Sequence, residues 1–151
     1  MSKKKGMVGW LKSLADKPEK TNKGLTKIKI VSWGNHLKHI REWQKENARD
    51  QWVNAKYGSK KLYQYSWMSD VPIELIHEKH NEFDNQAIIV VLNGYDVGYI
   101  PRPTNREHFN QLLKLKNVTA TVRGGDSKFK DQYGDIVKIN DDPVVEIEVE
   151  L

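Results

Sequence analysis

The chain has no cysteine among its 151 residues, and only three methionines, three phenylalanines and five prolines. The missing thiol excludes a disulfide framework, a cysteine-ligated zinc or iron–sulfur centre and a thiol nucleophile. It also fits a reducing compartment. No run of about 20 apolar residues exists, so no helical membrane span is expected. The apolar stretch from Met7 to Leu11 breaks at Lys12, short of the roughly 7–15 residues of a secretory leader. A cytoplasmic protein without a membrane partner is the expectation.

Catalytic signatures are missing as well. There is no Gly-x-Ser-x-Gly elbow, no Gly-x-x-x-x-Gly-Lys-Ser/Thr phosphate loop and no dinucleotide fingerprint. His77-Glu-Lys-His80 sets its imidazoles three residues apart in a loop, whereas zinc proteases need them one helical turn apart, and no third ligand is evident. Asp126, Asp131 and Asp135 lack the order of a calcium loop. Asp126-Ser-Lys128 carries letters of a metal-dependent nuclease, but the same letters suit a polar hairpin. The expectation is a protein that is not an enzyme, with no metal and no cofactor.

What is present is charge. Charged residues make up 30% and apolar residues 38%, against typical values of about 25% and about 45–50%. The net charge of +5 hides a split: residues 1–60 carry 15 Lys/Arg and five Asp/Glu, a net +10, and the remainder is net −5. All five tryptophans (Trp10, Trp33, Trp43, Trp52 and Trp67) fall in the first 67 residues. A basic extension of this kind suits a polyanion partner or a solvated, solubilising face.

Periodicity divides the chain. Residues 1–24 read as a basic tail with one short apolar stripe, Val8, Leu11, Leu14 and Ala15. Residues 25–57 read as a strand, Thr26 to Trp33, and a helix capped by Asn35 that carries Leu37, Ile40, Trp43, Ala48, Trp52 and Ala55. This pair is expected to pack as an extension on a β domain spanning 58–151. There, Leu62–Trp67, Ile73–Ile76, Ala87–Leu92, Val97–Ile100, Val118–Arg123, Ile136–Ile139 and Val144–Leu151 have strand character. Ser69-Asp70 and Asn93-Gly94 read as turns. Thr104-Asn-Arg-Glu107 reads as a capping box opening a helix near 104–115. The fold expected is mainly β: a small OB-like or SH3-like barrel of about six short strands, with one intervening helix and a helical, basic N-terminal extension.

The densest cluster of chemistry is Glu78 to Arg102. Gly98, inside a strand, points to close approach of a backbone or ligand. Asn81, Phe83 and Asp84 project from the loop before the central strand, beside Tyr99 and Arg102. Two readings of these residues stay open on pattern alone. They form a nucleotide site, with rings for bases and Arg102 for a phosphate. Alternatively, Asn81 and Asp84 fix the loop through backbone bonds while Phe83 and Tyr99 fill the core.

The order Glu78-x-x-Asn81-x-x-Asp84-x-x-Ala87-Ile88-x-Val90, followed by Val97-Gly98-Tyr99-Ile100-Pro101, resembles the HIRAN domain. That family occurs in helicase-like DNA-damage-tolerance translocases and as stand-alone proteins of bacteria and phages. The match is dense over residues 73–102 and extends to 125. The resemblance implies an OB-like barrel that captures the 3′ end of single-stranded DNA, in a repair or replication setting. It puts Phe83 and Asp84 on the terminal nucleotide and its 3′-hydroxyl, with Asn81, Tyr99 and Arg102 beside them. Lys61 with Tyr63 stands nearest to the family's upstream Arg–aromatic pair. Lys79 replaces a usual proline, and Phe83 a usual tyrosine. The competing functions are a protein-interaction adaptor, with the Trp-rich extension docking a helicase or nuclease, and a metal-dependent nuclease.

Overall fold

The computed structural model describes residues 18–21 and 24–151. The short stripe expected at Val8, Leu11, Leu14 and Ala15 lies outside them. Among the described residues there are eleven strands: β1 (Glu19–Lys20), β2 (Thr26–Lys29), β3 (Leu62–Tyr63), β4 (Met68–Pro72), β5 (Glu74–His77), β6 (Ile88–Leu92), β7 (Tyr95–Tyr99), β8 (Thr119–Gly124), β9 (Ser127–Lys130), β10 (Ile136–Ile139) and β11 (Pro143–Val149). Helix α1 (Asn35–Asn47) follows β2, and α2 (Arg102–Lys114) lies between β7 and β8.

The strands form three antiparallel sheets, ordered β1-β2-β11-β8-β4, β10-β9-β3 and β5-β6-β7. The chain is therefore mainly β with one helix inside the β region, as expected. The strands are more numerous and shorter than a single barrel of about six, and the sheets are open.

Alternation explains the largest sheet. Along β11, Val145, Ile147 and Val149 are buried, whereas Glu146 and Glu148 point away from the core, the period-two signature of a strand with one buried face. Ile147 sits opposite Ile28 of β2 and Ala120 of β8, and Val145 opposite Val122. These residues share one apolar core with Ile40 and Trp43 of α1, Ile88 and Val90 of β6, and Leu112 of α2.

Residues 26–31 are woven into the sheets. The strand β2 lies between β1 and β11. Beyond it, the Ile30 amide donates to the Val145 carbonyl at 2.9 Å, and Val31 and Tyr99 exchange both backbone bonds at 2.9 Å. This bridge makes the close approach expected at Gly98. With φ at +148°, a Cβ there would stand 2.6 Å from Ile30 Cγ2 and 2.7 Å from Ser32 Oγ, and closer still to the Val31 carbonyl oxygen.

Several local expectations need correction. Asn35 is not the cap of α1; Gly34, at φ 54°, holds that position and no side-chain cap bond forms. The helix ends at Asn47, well short of Trp52 and Ala55. There the Asp50 carboxylate accepts the Trp52 amide at 2.9 Å, an Asx-type bond that competes with helix. The Thr104–Glu107 capping box does not form. Pro101 precedes the first residue of α2 and Pro103 lies in its first turn, where a missing amide costs nothing, so the helix has already begun before Thr104. Ser69-Asp70 is not a turn but a register shift within β4, with Asp70 at φ 55°, as a β-bulge requires. The segment around Asp126-Ser-Lys128 does form a hairpin, but Ser127–Lys130 is its first strand, paired to both β10 and β3.

Candidate functional site

The loop between β5 and β6 is held by its own side chains. Asn81 Oδ1 accepts the amides of Phe83 at 2.9 Å and Asp84 at 3.0 Å. Asp84 Oδ1 accepts the Gln86 amide at 3.0 Å. Backbone bonds from Glu78 to the Ala87 carbonyl and from Ala87 to the Asp84 carbonyl, at 2.8 and 3.0 Å, close the loop onto β6. Short polar side chains bonding to amides two or three residues on are the mechanism by which Asn and Asp shape turns. The loop-fixing role is thus present. The core-filling role is not: Phe83 is 47% exposed.

Behind the loop stands a polar trio. Tyr99 donates its hydroxyl to Glu78 Oε1 at 2.7 Å, and Asn81 Nδ2 donates to the same oxygen at 3.0 Å while standing 3.4 Å from the Tyr99 hydroxyl. Burial, and then the bond and charge of Glu78, push the Tyr99 phenol well above its usual value, so it stays neutral and donating. Trp33 stacks on Tyr99 with ring centroids 5.7 Å apart. His36 meets both rings edge-on, at 5.2 and 5.5 Å. Burial lowers the His36 pKa, with Asp96 opposing, and its Nδ1 is buried without a hydrogen-bond partner.

Asp84 is the electrostatic centre. Its side chain is 1% exposed, with Arg102 Nε 3.6 Å from Oδ2 and Arg106 a guanidinium nitrogen 3.7 Å from Oδ1. Arg102 also donates to the Phe83 carbonyl at 3.5 Å. Two guanidinium groups thus surround one carboxylate. Asp84 Oδ2 and Arg102 Nε are both buried, and at 3.6 Å they form an ion pair longer than a hydrogen bond.

Five of the seven residues expected from the sequence therefore come together: Asn81, Phe83, Asp84, Tyr99 and Arg102. Lys61 and Tyr63 do not join them. Tyr63 and its neighbour Leu62 form β3, paired with β9 in another sheet, and the Tyr63 carbonyl accepts from Gln51 Nε2 at 2.9 Å. The upstream ring that reaches the site is Trp33.

Three participants escaped the sequence reading. Arg106 sits four residues after Arg102, a spacing that puts both on one helix face, and this signal was available. Trp33 and His36 were not legible, because their approach depends on the Val31–Tyr99 bridge between distant segments. Of the other tryptophans, Trp43 is core, Trp52 donates its indole to the Leu62 carbonyl at 2.9 Å, and Trp67 is exposed beneath Arg123. Asp126 accepts the Asp141 amide at 3.2 Å and stands 3.9 Å from Lys138.

Among the described residues no group of three or more His, Asp or Glu is arranged to hold a metal ion, and no helix is long and apolar enough to cross a membrane. Chemically, the site offers an exposed ring, two cations for an anionic group and one buried acceptor for a hydroxyl. Comparison with protein-family models, with curated proteins and with solved structures finds no match to this chain.

Proposed function

We propose that this chain is a non-catalytic nucleic-acid-binding module with an OB-like β-barrel, taking single-stranded DNA or a DNA 3′ end at the Asn81–Arg102 site in a repair or replication setting. The carrying observation is Asp84, a buried carboxylate whose Oδ2 meets Arg102 Nε only at 3.6 Å, longer than a hydrogen bond, beside an exposed aromatic ring and Arg106. A carboxylate repels phosphates, so its presence in a DNA site makes sense when it accepts a sugar hydroxyl. A terminal nucleotide supplies that donor together with a base for Phe83 and a phosphate for Arg102. In this reading Arg102 leaves Oδ2 as the hydroxyl arrives and turns to the phosphate.

The barrel reading draws support from two junctions. Val31 and Tyr99 join the five-stranded sheet to β7, and only Ile73 separates β4 from β5. The net +10 of residues 1–60 adds long-range attraction for a polyanion.

The test compares a 3′-hydroxyl oligonucleotide with its 3′-phosphate twin. Tighter binding of the hydroxyl form, abolished by Asp84→Ala, supports the reading. Equal affinity for the two removes end capture.

A further inference from the structure

We propose that the outer face of β9 and β10 is a second nucleic-acid surface, which holds the phosphodiester backbone of a single strand away from its end. The inference deepens the nucleic-acid reading and rests on it, but the residues are different and lie in another sheet.

Lys128 and Lys138 sit directly opposite each other in the β9–β10 ladder, and Lys130 follows two residues along on the same face. Ser127, Phe129, Val137 and Ile139 take the other face, with Ser127 fully buried. Like charges directly opposed across a ladder oppose folding, so this pairing serves no stabilising purpose on its own. What holds it is an aromatic platform. Trp52 lies beneath both ammonium groups, 4.2 Å from Lys128 and 5.8 Å from Lys138, and Tyr57 is 5.9 Å from Lys128. The Trp52 indole is itself anchored on the Leu62 carbonyl at 2.9 Å, and the Lys130 amide on the Gly58 carbonyl at 2.7 Å.

Part of this charge is neutralised, and Asp131 and Asp135 lie in the turn beyond Lys130. Asp126 stands 3.9 Å from Lys138. Among the described residues, no carboxylate forms an ion pair with Lys128 or Lys130. Exposed Lys61, beside Leu62, adds another positive charge at the β3 edge. Cations placed over aromatic rings keep their charge, so Lys128 and Lys138 are positioned before a ligand arrives. Lys128 and Lys130 are two residues apart on a strand, or about 7 Å, which suits successive phosphates of an extended strand.

A closed circular single-stranded DNA has no 3′-hydroxyl, so its binding draws nothing from the Asp84 acceptor. With the full chain, wild type is expected to bind the circle, and Lys128→Ala/Lys130→Ala to weaken that binding at least about tenfold. The salt slope should fall by about 1.4, two phosphate contacts at about 0.7 each. The conservative Lys128→Arg/Lys130→Arg pair should keep both affinity and slope, which separates loss of charge from loss of fold. Circle affinity and salt slope unchanged in the alanine pair would overturn the proposal. If that result came with intact 3′-hydroxyl preference, the end-capture reading would survive alone. Lysine-dependent circle binding without end preference would leave this surface standing and remove end capture. Failure to bind any nucleic acid would overturn both.

Discussion

Trp33 lies stacked on Tyr99, their planes 20° apart and their centroids 5.7 Å apart. The two residues come from the segment after β2 and the end of β7, and the Val31–Tyr99 backbone bonds set them face to face. Offset stacking of this kind adds about 0.5–1.5 kcal/mol beyond area burial. Its larger consequence is positional. The Tyr99 hydroxyl is steered onto Glu78, whose carboxylate also takes Asn81, and Asn81 in turn shapes the loop that presents Phe83 and Asp84. Strand pairing and loop geometry are one construction.

Gly98 tests the first link. Its φ of +148° strains any other residue, and a Cβ would press on the Val31 carbonyl, Ile30 and Ser32. Gly98→Ala is expected to destabilise the fold by about 2–5 kcal/mol, overpacking and backbone strain together. Gly94→Ala, at φ +84° with open space around it, should lose only about 1–2 kcal/mol. Urea titration of both variants measures the difference; equal losses would mean that the Val31 approach does not matter.

The Tyr99 phenol makes stability sensitive to alkali. Its pKa is raised in the fold above the usual 10.0, by burial foremost and then by Glu78. The neutral phenol is thus favoured in the native state, and the associated stability is fully present below pH 10. Above that the unfolded chain releases a proton that the folded chain keeps, so stability falls as pH rises. Tyr99→Phe should be less stable at neutral pH, by about 0.5–1.5 kcal/mol for the lost bond, and should show a shallower alkaline decline. Parallel slopes for the two proteins between pH 9 and 12 would contradict this.

His36 acts at the other end of the scale. Burial lowers its pKa below the usual 6.5, so the neutral ring is favoured in the fold. The stability tied to it is present above pH 6.5 and is lost as pH falls, when the unfolded chain takes up a proton first. The melting temperature should drop between pH 7 and 5, and drop less in His36→Phe. An identical drop would assign the acid sensitivity to other groups.

These relationships mark the limit of what local pattern reveals. The β11 alternation of Val145, Ile147 and Val149 reads directly as a strand, because burial on one face imposes period two. Asn93-Gly94 reads as a hairpin because both residues must take positive φ, and they do, at 49° and 84°. Asp70 also has positive φ, but nothing local distinguishes a bulge from a turn; the partner β8 decides it. Asn81, Phe83, Asp84, Tyr99 and Arg102 were legible as one cluster because they flank a single hairpin, β6–β7, at the end away from its Asn93-Gly94 turn. The surroundings of Lys61 and Tyr63 were not legible for the converse reason: the pairing of β3 with β9, and of Val31 with Tyr99, is set by packing between distant segments.

Asp84 separates structure from recognition. Asp84→Asn keeps an oxygen for the Gln86 amide and should cost little stability. Asp84→Ala leaves that amide unpaired and Arg102 and Arg106 without their carboxylate. The arginine side chains are 34% and 56% exposed, so solvent screens much of the charge imbalance, and a loss of about 1–3 kcal/mol is expected. Thermal melts check this. A loss in Asp84→Asn as large as in Asp84→Ala would show that charge, not the loop bond, holds the segment.

The Phe83 ring contributes little to the core. At 47% exposure on a loop held by Asn81, Phe83→Ala should alter unfolding free energy by no more than about 0.5 kcal/mol. Oligonucleotide affinity should fall far more, by about 1–3 kcal/mol for one lost base–ring stack, or roughly five- to 150-fold. Phe83→Tyr should retain it. Arg102→Ala should weaken 3′-hydroxyl and 3′-phosphate oligonucleotides alike and flatten their salt dependence. Titration by fluorescence anisotropy, alongside a melt of each variant, separates the effects. If Phe83→Ala binds as tightly as wild type while melting normally, no base stacks at this loop, and the ring must be assigned to another contact.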